Sequence, residues 1–272
     1  MPKIITEDMI EQAAIKALQE RHNYTVLNCM TEEPDTLPDG TGRKDKKQVV
    51  LPDVMLESLC RINPDIPEQT VRTVVDELCH TPVSGDLMLT NYQNYQKIRN
   101  GITVEYNEKG KKTSNILRLL SYNDVLSNTF TVASQMWIKG ETHWRRPDLI
   151  IFINGFPLVF IELKNSNIPV KNAYDINLKN YLKDIPYLFN YNQICVLSNG
   201  METRLGSFAA GYEFFFEWLK VENEKEKPDR KAIRENCTSL EYFIAGLCEP
   251  KNLLDYIENF ILYDRRRTKI IA

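Results

Sequence analysis

The chain has 272 residues, 43% of them hydrophobic, which is enough to build a core without disulfide or metal staples. Its net charge of −3 argues against tight autonomous binding to a polyanion, which relies on surplus Lys and Arg to displace counterions. The six cysteines (Cys29, Cys60, Cys79, Cys195, Cys237, Cys248) form no CxxC pair, and neither a secretory signal pattern nor a run near the ~20 apolar residues of a membrane span occurs. A structural zinc site and membrane insertion are therefore not expected, and reducing cytoplasm is the expected compartment.

The opening TEDMIEQAAIKALQERHN offers Thr6 as an N-cap and places Ile10, Ala13, Ala14 and Leu18 at helical spacing, predicting a helix over 7–20. Residues 31–47 combine acidic, Pro, Gly and Lys residues with almost no apolar content and read as a mobile loop. Gly40 and Gly42 belong to no phosphate loop, because the string GxxxxGK[ST] is absent. Helices are predicted over 51–62 and 66–79, broken at Asn63 and Pro64, with Pro67 in the first turn of the second, where its missing N–H is harmless.

Residues 102–106 and 114–120 alternate on either side of a Glu-Lys-Gly-Lys-Lys stretch and predict a hairpin. Strands are expected over 129–138, 149–153, 158–164 and 194–197, with a helix over 170–182 between the last two. That order predicts an α/β (α+β) arrangement, a mixed sheet flanked by helices. Beyond Gly206 the chain reads as mostly helical, with an aromatic run over 212–218, a charged exposed stretch over 222–234, and a final apolar helix through Leu253, Leu254, Ile257 and Phe260. The expected organisation is one domain over 1–206, with its mobile loop at 31–47, and a helical cap or linker over 207–272. Basic patches at Arg43, Lys44, Lys46 and Lys47, at Lys109, Lys111 and Lys112, and at Arg265, Arg266 and Arg267 read as solvated loops or helix ends.

The chemistry lies in RRPDLIIFINGFPLVFIELKNSN, residues 145–167. Two apolar strands are joined by Asn154-Gly155, a strong turn signal. Alternation along the second puts Leu158, Phe160, Glu162 and Lys164 on one face, with Glu162 and Lys164 about 7 Å apart, near the span of one bound phosphate. Two ionisable side chains ending an apolar strand are costly unless something charged joins them. Phosphodiester hydrolysis needs Mg²⁺ held by carboxylates, an activated water and positive charge on the transition state. Asp148 and Glu162 can supply the carboxylates, the Leu163 backbone carbonyl a further oxygen, and Lys164 the charge that orients or deprotonates the water. Pro147 fixes the chain where it enters the first strand and aims Asp148.

An Asp followed later by Glu-x-Lys is a weak pattern alone, and a solvated Glu–Lys pair at a strand end is its competing reading. The apolar LVFI before Glu162 and the Arg145-Arg146 pair beside Asp148 favour the catalytic one. Parity adds a constraint: an unbulged two-residue turn at Asn154-Gly155 would oppose Asp148 to Ile161 and aim the two carboxylates to opposite faces. A shared metal therefore requires an odd-length turn or a bulge, with Gly155 at positive φ.

This segment resembles the nuclease core of type I restriction R subunits, members of the PD-(D/E)xK nuclease superfamily, with Pro147-Asp148 and Glu162-Leu163-Lys164 in the motif positions. The resemblance extends to TEDMIEQAAI, INPDIPEQTV, IPYLFNYNQICVLSNG and NLLDYIENFILYD, in that order, and so covers essentially the whole chain. It implies a PD-(D/E)xK fold and a Mg²⁺-dependent endonuclease domain that cuts double-stranded DNA, with Asp148, Glu162 and Lys164 catalytic. It implies a Gln-x-x-x-Tyr motif on the helix after the Lys, whose positions are held by Asn177 and Tyr181, the Asn having the shorter reach. It also implies an acidic residue on the first helix that assists the metal, Glu11, with Glu7 as neighbouring rival. Arg145 and Arg146 are the expected DNA contacts.

Family members continue into two ATP-dependent motor domains, so ATP is expected to act only through parts absent from this chain. Methyltransferase (M) and specificity (S) subunits would bring the assembly to DNA, which reconciles an acidic net charge with cutting. Two other readings are a stand-alone nuclease of the same fold in repair or junction resolution, and a non-catalytic assembly module that docks through its C-terminal helices.

Overall fold

The computed structural model describes residues 4–80, 85–108, 110–223, 225–264 and 269–271. Helix α1 (Glu7–His22) starts on Thr6, whose side-chain oxygen accepts the Met9 N–H at 3.3 Å, and stops on Asn23 in the left-handed region (φ 58°). Strand β1 (Thr25–Asn28), helices α2 (Pro52–Ile62), α3 (Glu68–Cys79) and α4 (Leu87–Asn100), and the hairpin of β2 (Ile102–Glu108) and β3 (Lys111–Leu117) follow. Next come β4 (Phe130–Ser134), a small hairpin of β5 (Ile138–Lys139) and β6 (Trp144–Arg145), β7 (Leu149–Ile153) and β8 (Phe156–Leu163). A π-helical turn at Ala173–Leu178 runs into α5 (Lys179–Asp184), and β9 (Ile194–Ser198), β10 (Thr203–Gly206) and β11 (Phe216–Glu217) complete the sheet. The chain closes with α6 (Arg230–Asn236), α7 (Ser239–Gly246), α8 (Pro250–Asn259) and a hairpin of β12 (Leu262–Asp264) and β13 (Lys269–Ile271).

Seven strands form one sheet in the order β1-β4-β7-β8-β9-β10-β11. The pairs β1–β4 and β8–β9 are parallel and the others antiparallel, so the sheet is mixed and flanked by helices, as expected. Every residue of β7, β8 and β9 is buried, and strands covered on both faces read as continuous apolar runs. The segments on the two sides of residue 206 share this sheet and its core: β11 pairs with β10, and Phe243, Leu253 and Ile257 are buried in the same hydrophobic cluster as the strands. Among the described residues, no helix is long and apolar enough to cross a membrane.

Several expectations need correction. Residues 31–47 contain no helix or strand, but they are held down rather than free: Asp39, Thr41, Arg43 and Lys46 are buried. The Asp39 carboxylate accepts from Arg43 at 2.6 Å and Lys46 at 2.7 Å, so two cations assigned to a solvated patch lie inside. Burial alone would raise the Asp39 pKa. Bonds from Lys46, Thr41 and Arg43 outweigh that and hold it below the usual carboxylate range.

Helix α4 has no counterpart in the sequence reading because its inner face is polar. Asn91 and Asn94 are buried, and their amides donate to the Phe189, Asn192 and Asn190 carbonyls at 2.7–3.1 Å. Pro67 is the N-cap of α3 rather than a residue of its first turn. The long strand over 129–138 ends at Ser134, because Gln135 turns left-handed (φ 55°). The aromatic run over 212–218, expected to be helical, forms a 3-10 turn and β11. Lys109 and Arg265, Arg266 and Arg267 lie outside the described residues.

Candidate active site

The turn between β7 and β8 is two residues long, Asn154 (φ 50°) and Gly155 (φ 82°), and pairs Ile153 with Phe156. That register alone would send Asp148 and Glu162 to opposite faces. A bulge corrects it: Phe152 pairs with Pro157 but Ile151 with Val159, leaving Leu158 as the extra residue. Ile150 then opposes Phe160, Leu149 opposes Ile161, and Asp148 falls opposite Glu162 on one face. The bulge is anchored from the neighbouring chain segment, since the Gln193 N–H and the Asn192 amide donate to the Leu158 carbonyl at 2.9 and 3.3 Å.

At the far end of β8 the polar groups converge. Asp148 Oδ2 accepts the Leu163 N–H at 2.7 Å, and Lys164 Nζ lies 3.1 Å from Glu162 Oε1 and 2.5 Å from the Leu163 carbonyl oxygen. The oxygens expected to face a metal thus already face a cation. Glu162 is only 2% exposed and its Oε2 has no partner, a buried acceptor without the partner such atoms normally have. Burial pushes the Glu162 pKa up to about 8, and the Asp148 charge adds to the rise against the pull of Lys164. Asp148 is likewise raised by burial, opposed by the Leu163 N–H and by Lys164. Two acids held in this way gain from a cation between them.

Helix α1 is docked onto the chain just past Lys164. Ile5 N–H donates to Ser166 Oγ at 3.0 Å, Ser166 N–H to the Ile5 carbonyl at 2.9 Å, and Glu7 N–H to Asn165 Oδ1 at 2.8 Å. Glu7 and Glu11, one helical turn apart, are thereby turned to the site. Glu7 Oε1 lies 3.8 Å from Lys164 Nζ, whereas Glu11 Oε2 accepts from Gln135 Nε2 at 2.5 Å. Burial pushes the Glu11 pKa to about 7 despite that bond.

Tyr181 packs edge-on against Phe160, with ring centroids 5.3 Å apart, and donates to the Arg146 carbonyl at 3.2 Å. Burial holds the Tyr181 hydroxyl protonated, and Asn177, one helical turn earlier, lies near enough to it to oppose that rise. The pair therefore braces the strand ends from behind Glu162. Arg145 is tied to Asp184, its Nε donating at 2.7 Å. Arg146 stacks over the Trp137 ring at 4.9 Å, and its charge acts on Glu11, so it is the member of the pair nearer the acidic groups.

Among the described residues no three His, Cys, Asp or Glu side chains are gathered as a ready-made metal site. The donor set on offer is Asp148, Glu162 and the Leu163 carbonyl, with Glu11 held a step away by Gln135. Gln135 escaped the sequence reading, although an amide at the end of the strand-forming run TFTVAS was its visible mark.

Residues 4–214 match the family model described as type I restriction enzyme R protein N terminus. The HindI endonuclease subunit of Haemophilus influenzae is 33% identical over 96% of the chain, which covers 24% of that protein. The sequence named as the MjaIXP endonuclease subunit of Methanocaldococcus jannaschii is 29% identical over 99% of the chain, covering 26% of it. A third relative, the EcoprrI endonuclease subunit of Escherichia coli, is 29% identical over 56% of the chain and 48% of its own length. The chain thus spans about a quarter of the length of the first two relatives. With a mixed sheet, a bulged hairpin that brings Asp148 and Glu162 together and a family match over most of its length, the chain belongs to the N-terminal region family of type I restriction enzyme R proteins.

Proposed function

We propose that this region is a Mg²⁺-dependent endonuclease that hydrolyses phosphodiesters of double-stranded DNA. The observation that carries the reading is the Asp148–Glu162 pair on one face, with Glu162 Oε2 unpartnered and the Leu163 carbonyl alongside. Asp148, Glu162 and that carbonyl would hold the ion, which would polarise the phosphate and lower the pKa of an attacking water. Lys164, already 3.1 Å from Glu162, would move its ammonium toward the phosphate to orient the water and offset developing charge. Arg146, held by Trp137, would approach the DNA backbone, while Tyr181 and Asn177 keep the strand ends in place.

Delivery to DNA falls to other parts of the assembly. Motor domains that use ATP, together with methyltransferase and specificity subunits, would supply the affinity that a chain of net charge −3 lacks. The test is a complex assembled from full-length subunits carrying Asp148→Ala or Glu162→Gln. ATP hydrolysis and DNA binding should persist while cutting falls below about 1% of wild type. Unimpaired cutting by either variant would refute the site.

A further inference from the structure

Four non-glycine residues among those described have positive φ. Asn23 and Cys237 close helices α1 and α6, and Asn154 sits in the β7–β8 turn. Gln135 closes no helix and joins no hairpin; it stands where β4 stops, one step beyond the Ser134–Leu149 pair and so beside Asp148. A left-handed Gln is uncommon and strained, and such residues persist where the surroundings require them. Three contacts supply the requirement. Its N–H donates to the Asp148 carbonyl at 3.0 Å, its Nε2 donates to Glu11 Oε2 at 2.5 Å, and its carboxamide lies near enough to the Asp148 carboxyl to oppose the rise in that group's pKa.

We propose that Gln135 is a positioning residue of the metal site, tied to Asp148 through its main chain and to Glu11 through its carboxamide, and that it holds the Glu11 carboxylate ready to join the ion. This rests on the nuclease reading above. Glu11 and Asp148 repel one another when both are charged, and an amide donor satisfies the Glu11 carboxylate without cancelling its charge. A lysine or arginine there would neutralise the acids permanently; the neutral amide leaves their charge for a divalent cation. The left-handed backbone is what lets one residue bond Asp148 through its main chain and Glu11 through its side chain.

The test uses the full-length subunit without ATP. Mn²⁺ binding is followed by calorimetry, with Asp148→Ala run in parallel to identify the heat that belongs to this site. Gln135→Leu, similar in size but without hydrogen bonds, should weaken Mn²⁺ binding at the site about 10-fold. Cutting by the assembled complex should shift to correspondingly higher Mg²⁺ and recover when Mg²⁺ is raised. Because Gln135 acts through Glu11, Gln135→Leu combined with Glu11→Gln should be no worse than Glu11→Gln alone. Gln135→Gly, which keeps the left-handed backbone, should weaken binding as Leu does and serves if the Leu variant melts early. Unchanged Mn²⁺ affinity in both Gln135 variants, or losses that multiply in the double variant, would overturn the proposal. If Asp148→Ala binds Mn²⁺ and cuts like wild type, the nuclease reading itself falls, and that result is separate from anything Gln135 does.

Discussion

Asp148 stands opposite Glu162 only because β8 carries one residue, Leu158, that β7 does not match. The two-residue turn fixes one parity and the bulge reverses it, so the site depends on both. Bulges recur beside active sites because they re-aim side chains in this way. Here the re-aimed side chain is a buried carboxylate, 2% exposed, that would otherwise lie on the far face of the sheet.

Gly155 should tolerate no side chain. At φ 82° a Cβ would lie 2.6 Å from the Leu51 carbonyl oxygen, and that carbonyl belongs to the residue whose N–H donates to Gly155 at 3.0 Å. Gly155→Val should therefore lower stability by about 2 kcal/mol or more in urea unfolding and weaken Mn²⁺ binding with it. Stability within about 0.5 kcal/mol of wild type would show that the turn is not held as described.

Metal affinity should rise with pH. With Glu162 near 8 and Glu11 near 7 before metal binds, the ion must displace protons, and apparent Mg²⁺ affinity should climb from pH 6 to about 8 and then level off. The same raised pKa sets a stability trend in the metal-free protein. Glu162 moves from the ordinary 4.5 to about 8 on folding, so the folded state binds its proton more tightly and stability is lost as pH rises through that window. Glu162→Gln should accordingly raise metal-free stability at pH 8 by up to about 4 kcal/mol, with the difference vanishing below pH 4. A Gln variant less stable than wild type at pH 8 would contradict this.

Asp39 should matter to folding and not to chemistry. Removing its charge leaves Arg43 and Lys46 buried with no carboxylate, so Asp39→Asn should cost about 3–5 kcal/mol in urea unfolding. Because its pKa is depressed on folding, the contribution is present above about pH 4 and lost as the medium is acidified. A loss under about 1 kcal/mol would mean that the loop is not anchored by this cluster.

The hairpin of the candidate site is legible in the sequence because its signals are local: an apolar run, an Asn-Gly turn and ionisable residues at the strand end. Residue numbering and strand parity together demand an odd-length turn or a bulge, and the bulge at Leu158 meets that demand. What stays hidden depends on partners distant in sequence. Asn91 and Asn94 look like surface residues until the 189–192 carbonyls come to meet them. Asp39, Arg43 and Lys46 look like a solvated loop until they are seen to neutralise one another inside. The short strands β1, β10 and β11, two to four residues long, carry too little alternation to show a period. Gln135 reveals itself only through the Glu11 carboxylate and the Asp148 main chain that it joins.

The most direct test of the shared-metal account is an anomalous difference map from crystals of this chain soaked in Mn²⁺. The account predicts a peak with one carboxylate oxygen of Asp148, one of Glu162 and the Leu163 carbonyl oxygen each within about 2.3 Å. A peak bound by only one of the two carboxylates, or one on the opposite face of the sheet, would contradict it.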